Sequence, residues 1–129
     1  MDTLTVLLFD ANPIFLQQVT RFLVEHAPGQ LIVSGAASDA SEALALAKRL
    51  SPDVVLVGLA SSAQPGLELL PQLRARLSRS GIIVLGIVDV NGYRRTVRAA
   101  GADAFVVKDD VPTTLVPAIM DVMRGRRAD

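Results

Sequence analysis

Pro52-Asp53-Val54-Val55-Leu56-Val57-Gly58-Leu59 is the stretch whose reading decides the fold. It is a short apolar run, rich in β-branched residues and bounded by turn formers, as a strand buried on both faces requires. Strands of that kind belong to parallel sheets, where the residue at the carboxyl end opens onto the ligand crevice. Here that residue is Gly58.

Outward from this strand, the chain alternates regularly. Residues 4–9 form a first apolar strand that runs into Asp10-Ala11-Asn12-Pro13. Asn12 can cap free amides while Pro13 occupies the first helical turn without losing a hydrogen bond, so a helix is expected from there to about His26, before Pro28-Gly29. A second strand, 31–36, precedes Asp39-Ala40-Ser41-Glu42, which resembles a capping box opening an alanine- and leucine-rich helix to Leu50. Beyond Gly58 a loop leads to a helix carrying Leu67, Leu70, Leu73 and Leu77, with Pro71 tolerated in its first turns. Residues 82–88 make a fourth strand, 93–100 a short helix stopped by Gly101, and 104–107 a fifth strand. The last helix is expected at about 111–123, after the acidic start Asp109-Asp110 and with Pro112 in its first turn.

Five strands alternating with five helices specify an α/β, flavodoxin-like, doubly wound parallel sheet. Right-handed crossovers favour the strand order 2-1-3-4-5, with the switch point between strands one and three. Asp10 and Gly58 are then expected side by side at the mouth, flanked by Gly86 and Lys108.

Composition narrows the function. A chain of 129 residues, half of them apolar, fits one domain, taken as 1–123 with 124–129 as a basic tail or the start of a linker. Thirteen basic residues balance thirteen acidic ones, so no nucleic-acid or membrane partner is called for by charge. There is no cysteine, which excludes disulfides and thiol chemistry and agrees with a cytoplasmic location. The longest apolar runs fall far short of the roughly 18 residues of a membrane span, and residues 1–6 lack the basic start of a secretory signal. His26, the one histidine, has no partner cluster for a metal.

Four segments carry a resemblance: residues 6–13 (Val6-Leu7-Leu8-Phe9-Asp10-Ala11-Asn12-Pro13), residues 52–58, residues 99–105 (Ala99-Ala100-Gly101-Ala102-Asp103-Ala104-Phe105) and Val107-Lys108-Asp109. In order and spacing they resemble the landmarks of response-regulator receiver domains, the CheY-like superfamily, and are most similar to receivers of the NarL/LuxR-type transcription regulators. The resemblance implies a phosphorylation switch: two acids after strand one, an acceptor aspartate after strand three, a Thr or Ser after strand four and a lysine after strand five. Of these five this chain keeps Asp10 and Lys108; the second acid is Ala11, the acceptor Gly58 and the hydroxyl position Gly86.

Glycine offers no carboxylate oxygen to phosphorylate, and Mg²⁺ wants octahedral oxygen ligands, of which Asp10 alone makes at most a weak site. No catalytic residue, metal or cofactor is therefore expected. Asp53 lies five residues before Gly58, roughly 16 Å away at the wrong end of the strand. Asp89, Glu68, Ser61 and Ser62 read as solvated groups rather than substitutes. With one acid facing one base, Asp10 and Lys108 are expected to pair, directly or through water. Phe105 holds the position of the aromatic residue that family members turn inward on activation; with Gly86 leaving space beside it, an inward Phe105 is expected without any signal.

Two classes of function remain. The first is an atypical receiver acting through protein contacts, as a homodimer or docked on a partner or a downstream DNA-binding output domain, with no enzymatic activity and no direct contact to nucleic acid or membrane. The second is a small-ligand-binding or enzymatic domain on the same fold, which would use a pocket opened by Gly58 and Gly86. Arg94, Arg95 and Arg98, with Arg124, Arg126 and Arg127, read as a solvated face, a docking surface for an acidic partner or the start of an interdomain linker rather than as a nucleic-acid site.

Overall fold

The computed structural model describes residues 3–60, 64–87 and 92–128. Ser61, Ser62 and Asp89, weighed above as loop groups, lie outside the described residues.

Five strands, β1 (Leu4–Phe9), β2 (Leu31–Ala37), β3 (Val54–Gly58), β4 (Gly81–Gly86) and β5 (Ala104–Val107), form one parallel sheet of order β2-β1-β3-β4-β5. Helices α1 (Pro13–His26), α2 (Ala40–Leu50), α3 (Gln64–Arg76), α4 (Tyr93–Ala99) and α5 (Val111–Ala128) alternate with the strands, and a 3-10 turn, Lys108–Asp110, leads into α5. Side chains alternate across each strand, which sorts the core into two layers. Leu7, Val55, Val57, Ile82 and Val84 face α2, α3 and α4 through Ala43, Ala47, Leu69, Leu73 and Val97. Val6, Leu8, Leu56, Ile83 and Leu85 face α1 and α5 through Val19, Leu23, Leu115 and Ile119. Every residue of β3 is buried, as its unbroken apolar run requires.

Local signals act as expected at the helix starts. Asn12 Oδ1 accepts from the Ile14 amide at 3.0 Å, with Pro13 in the first turn. Asp39 Oδ1 accepts from the Glu42 amide at 2.8 Å. Asp53 stands at the entrance of β3, where Oδ2 accepts from the Thr5 amide at 2.8 Å and from Thr5 Oγ1 at 3.2 Å. It stitches β3 to β1 at the end of the sheet remote from the crevice.

The last helix departs from the expectation. Its end was expected near Met123, with 124–129 as a basic tail or the start of a linker, yet α5 continues to Ala128, through a glycine, Gly125, that weakens a helix interior by about 1 kcal/mol relative to alanine. The physical reason is tertiary: Arg126 Nη2 and Nε grip Asp103 Oδ1 and Oδ2 at 2.6 and 2.9 Å. Asp103 Oδ2 also accepts from Arg74 Nη2 and from the Ile82 amide, both at 2.9 Å. Arg74 Nε donates to the Gly101 carbonyl at 3.0 Å. Gly101 has a φ of 119° and a Cβ there would stand 2.8 Å from Arg74 Cβ, so glycine is needed on both counts. One carboxylate thus ties α3, β4, β5 and the end of α5 together. Burial lowers the Arg74 guanidinium from its ordinary value, the charge of Asp103 raising it in opposition and that of Arg126 lowering it further. The guanidinium stays cationic at neutral pH, because an arginine starts several units above it.

Candidate functional site: a crevice filled by its own side chains

The carboxyl ends of β1, β3, β4 and β5 meet at the crevice, and the sheet order brings Asp10, Gly58, Gly86 and Lys108 there. Asp10 follows β1 directly and is fully buried. Its Oδ1 accepts from the Asn12 amide at 2.8 Å, a turn that aims the other oxygen across the sheet. Lys108 Nζ donates to that oxygen, Oδ2, at 2.7 Å, so the contact is direct. The ammonium also lies 4.1 Å from the centre of the Phe15 ring, a cation–π contact supplied by the first turn of α1. Ala11 is exposed beside this pair and adds no carboxylate.

The space directly above Gly58 and Gly86 is taken by neighbouring side chains. A Cβ at Gly58 would run into Asp10 Oδ2, with the carboxyl carbon at 2.7 Å and Asp10 Cβ at 3.0 Å. Asp10 has taken the space over the end of β3. A Cβ at Gly86 would stand 2.5 Å from Phe105 Cζ and 2.7 Å from Cε2. The Phe105 ring, 6 % exposed, therefore fills the space beside β4. Tyr93 stacks on it with centroids 6.3 Å apart and planes 15° from parallel. Arg94 lies 5.2 Å from its centre and its Nη1 donates to the Phe105 carbonyl at 3.2 Å. The room beside these two glycines that the alternative, ligand-binding reading would use is thus occupied, among the described residues, by Asp10 and Phe105.

The donor set does not suit Mg²⁺. Both Asp10 oxygens already accept, one from an amide and one from an ammonium, and neither Ala11 nor Gly58 supplies another carboxylate. Among the described residues no cluster of three or more His, Cys, Asp or Glu side chains stands ready for a metal. Glu68 is exposed in the early turns of α3, with its carbonyl accepting from Gln72 Nε2.

Several contributors escaped the sequence. Nothing in the spacing of Phe15, an apolar residue of α1, announces a cation above it. Arg94 is exposed, as a solvated face requires, and also lies over Phe105, whereas Arg126 is half-buried and holds Asp103 and Arg124 pairs at the surface with Asp121 at 3.3 Å.

A five-stranded doubly wound sheet of order 2-1-3-4-5, clothed by five helices and closed at its mouth by an acid from β1 and a lysine after β5, is the CheY-like variety of the flavodoxin fold. The chain belongs to the response regulator receiver domain family, which matches residues 6–120. It is 34% identical over 122 residues to the nitrate/nitrite response regulator protein NarP of Escherichia coli (strain K12), covering 95% of this chain and 56% of that protein. It is 31% identical over 124 residues to the uncharacterized transcriptional regulatory protein YxjL of Bacillus subtilis (strain 168), covering 96% and 56%. The chain thus spans a little over half the length of these relatives. Among solved structures, a two-component response regulator of the LuxR family from Aurantimonas sp. SI85-9A1 superposes with a TM-score of 0.85 at 30% identity, over 97% of this chain and 88% of that one. The CheY-like receiver of Methanospirillum hungatei JF-1 shares the fold at a TM-score of 0.81 and 20% identity, over 98% of both chains. The chain is a receiver domain of the two-component type, close to the NarL/LuxR-type regulators. Among the described residues no helix is long and apolar enough to cross a membrane.

Proposed function

We propose that this domain is an atypical cytoplasmic receiver that works without aspartyl phosphorylation and without catalysis, through protein–protein contact, as a homodimer or docked on the output domain of a transcription regulator. The observation that carries this reading is the state of the acceptor position. At Gly58 there is no carboxylate to attack phosphorus, and the space above it holds Asp10 in an ion pair with Lys108. A phosphoryl group would need both that space and the lysine. The buried Phe105 ring supports the same reading, because an inward aromatic on β5 is obtained here by the absence of a side chain at Gly86. The surface of α4 is then held in one arrangement, with Arg94 bonded to the Phe105 carbonyl. The spread of relatives over nearly twice this length supports a partner within a larger regulator, and their names point to transcription.

The test is incubation with acetyl phosphate, and separately with beryllofluoride, each with Mg²⁺. Intact mass and amide spectra are expected to be unchanged. A stable adduct, or a shift spreading from Gly58 to α4, overturns the proposal. Size-exclusion chromatography with and without acetyl phosphate reads the contact half: the mass is expected to be the same in both.

A further inference from the structure

Asp10 and Lys108 come from strands that are not neighbours. Asp10 leaves β1 and Lys108 leaves β5, and the order β2-β1-β3-β4-β5 puts β3 and β4 between them. Their bond therefore passes over the ends of two strands. Any side chain rising from the end of β3 obstructs it, and the obstruction falls first on Asp10 Oδ2, the atom that accepts the Lys108 hydrogen bond and that a Cβ at Gly58 would strike. All three nearest heavy atoms to that Cβ belong to Asp10.

We propose that Gly58 is the gap through which a strap passes. The ion pair Asp10–Lys108, steadied by the Asn12 amide on one side and the Phe15 ring on the other, bolts β1 to β5 over the mouth of the sheet and holds the crevice shut. Gly58 is required for the strap, quite apart from what a carboxylate there would do in phosphorylation. The strap is independent of phosphate chemistry: a domain that takes up phosphate by some other route can still carry it, and a phosphate-blind domain can lack it.

A thermal double-mutant cycle tests it. Gly58→Ala is expected to lower the melting temperature by several degrees in the native background. In the Asp10→Ala background the same change is expected to cost a small part of that or nothing, because only Asp10 Cβ, 3.0 Å away, remains to give slightly. The Lys108 ammonium resonance, protected while the ion pair stands, is expected to disappear in Gly58→Ala as it does in Asp10→Ala. Should Gly58→Ala alone fail to fold, the double variant is expected to fold and melt higher, and that rescue is the readout. An equal drop in both backgrounds, no drop in either, a double variant that also fails, or a Lys108 signal that survives Gly58→Ala overturns the proposal.

Discussion

Lys108 stands between a carboxylate and an aromatic face, and the carboxylate it meets has no exposure to water. Removing one member of such a pair leaves the other charged and desolvated, at a cost of about 3–5 kcal/mol. Lys108→Ala is accordingly expected to lower stability by that amount in urea unfolding; a loss near zero would mean that Asp10 reaches water. Gly86 makes the opposite kind of demand, for emptiness. Gly86→Ala puts a methyl 2.5 Å from Phe105 Cζ, and overpacking of this sort costs about 1–3 kcal/mol. The ring is expected to leave its site, which removes the ring-current shifts it imposes on Tyr93 and the cover that Arg94 gives it. At this scale the sequence was informative about which groups meet and less so about where they go. Asp10 and Lys108 could be paired from their places after β1 and β5, and the room left by Gly86 pointed to an inward Phe105, but the occupation of the Gly58 site by Asp10 depends on a rotamer.

Helix α5 shows where sequence signals for an element run out. Its start was legible from Asp109-Asp110 and Pro112, while its end was obscured by a run of arginines that read as a basic tail or the start of a linker. The missing information was the partner of Arg126, an aspartate 23 residues earlier in the chain. Asp103 offered no local sign of its role, since four donors reach it from three other segments. Arg126→Ala is expected to cost about 1.5–3 kcal/mol, the range for hydrogen bonds to a charged group. Amide exchange is expected to quicken over residues 124–128 while α4 is untouched. Uniform exchange along α5 in the variant would show that the clamp does not hold that end. The other helices were better marked, because Asn12 and Asp39 cap by side chains whose reach is two or three residues.

The whole molecule was legible because its pattern is repetitive: five apolar runs, each followed by an amphipathic one, leave few ways to build a covered parallel sheet. Both core layers share the same five strands, so neither can melt without stripping one face of the other. Unfolding is therefore expected in a single transition, with far-ultraviolet circular dichroism and Tyr93 fluorescence tracing the same curve in urea. Curves with separate midpoints would reveal a layer that unfolds by itself. The two charged assemblies also bear on the borders of the sheet. Strand β5 is only four residues long and lies at an edge, where unpaired amides and carbonyls invite pairing with another chain. It is fastened at both ends, through Asp103 to Arg74 and Arg126 where it begins and through Lys108 to Asp10 where it stops. Peeling it away to accept a foreign strand means breaking both sets of ion pairs at once. The opposite edge, β2, carries an exposed Ile32 and, among the described residues, no such rivets, which makes it the edge more open to pairing with another chain.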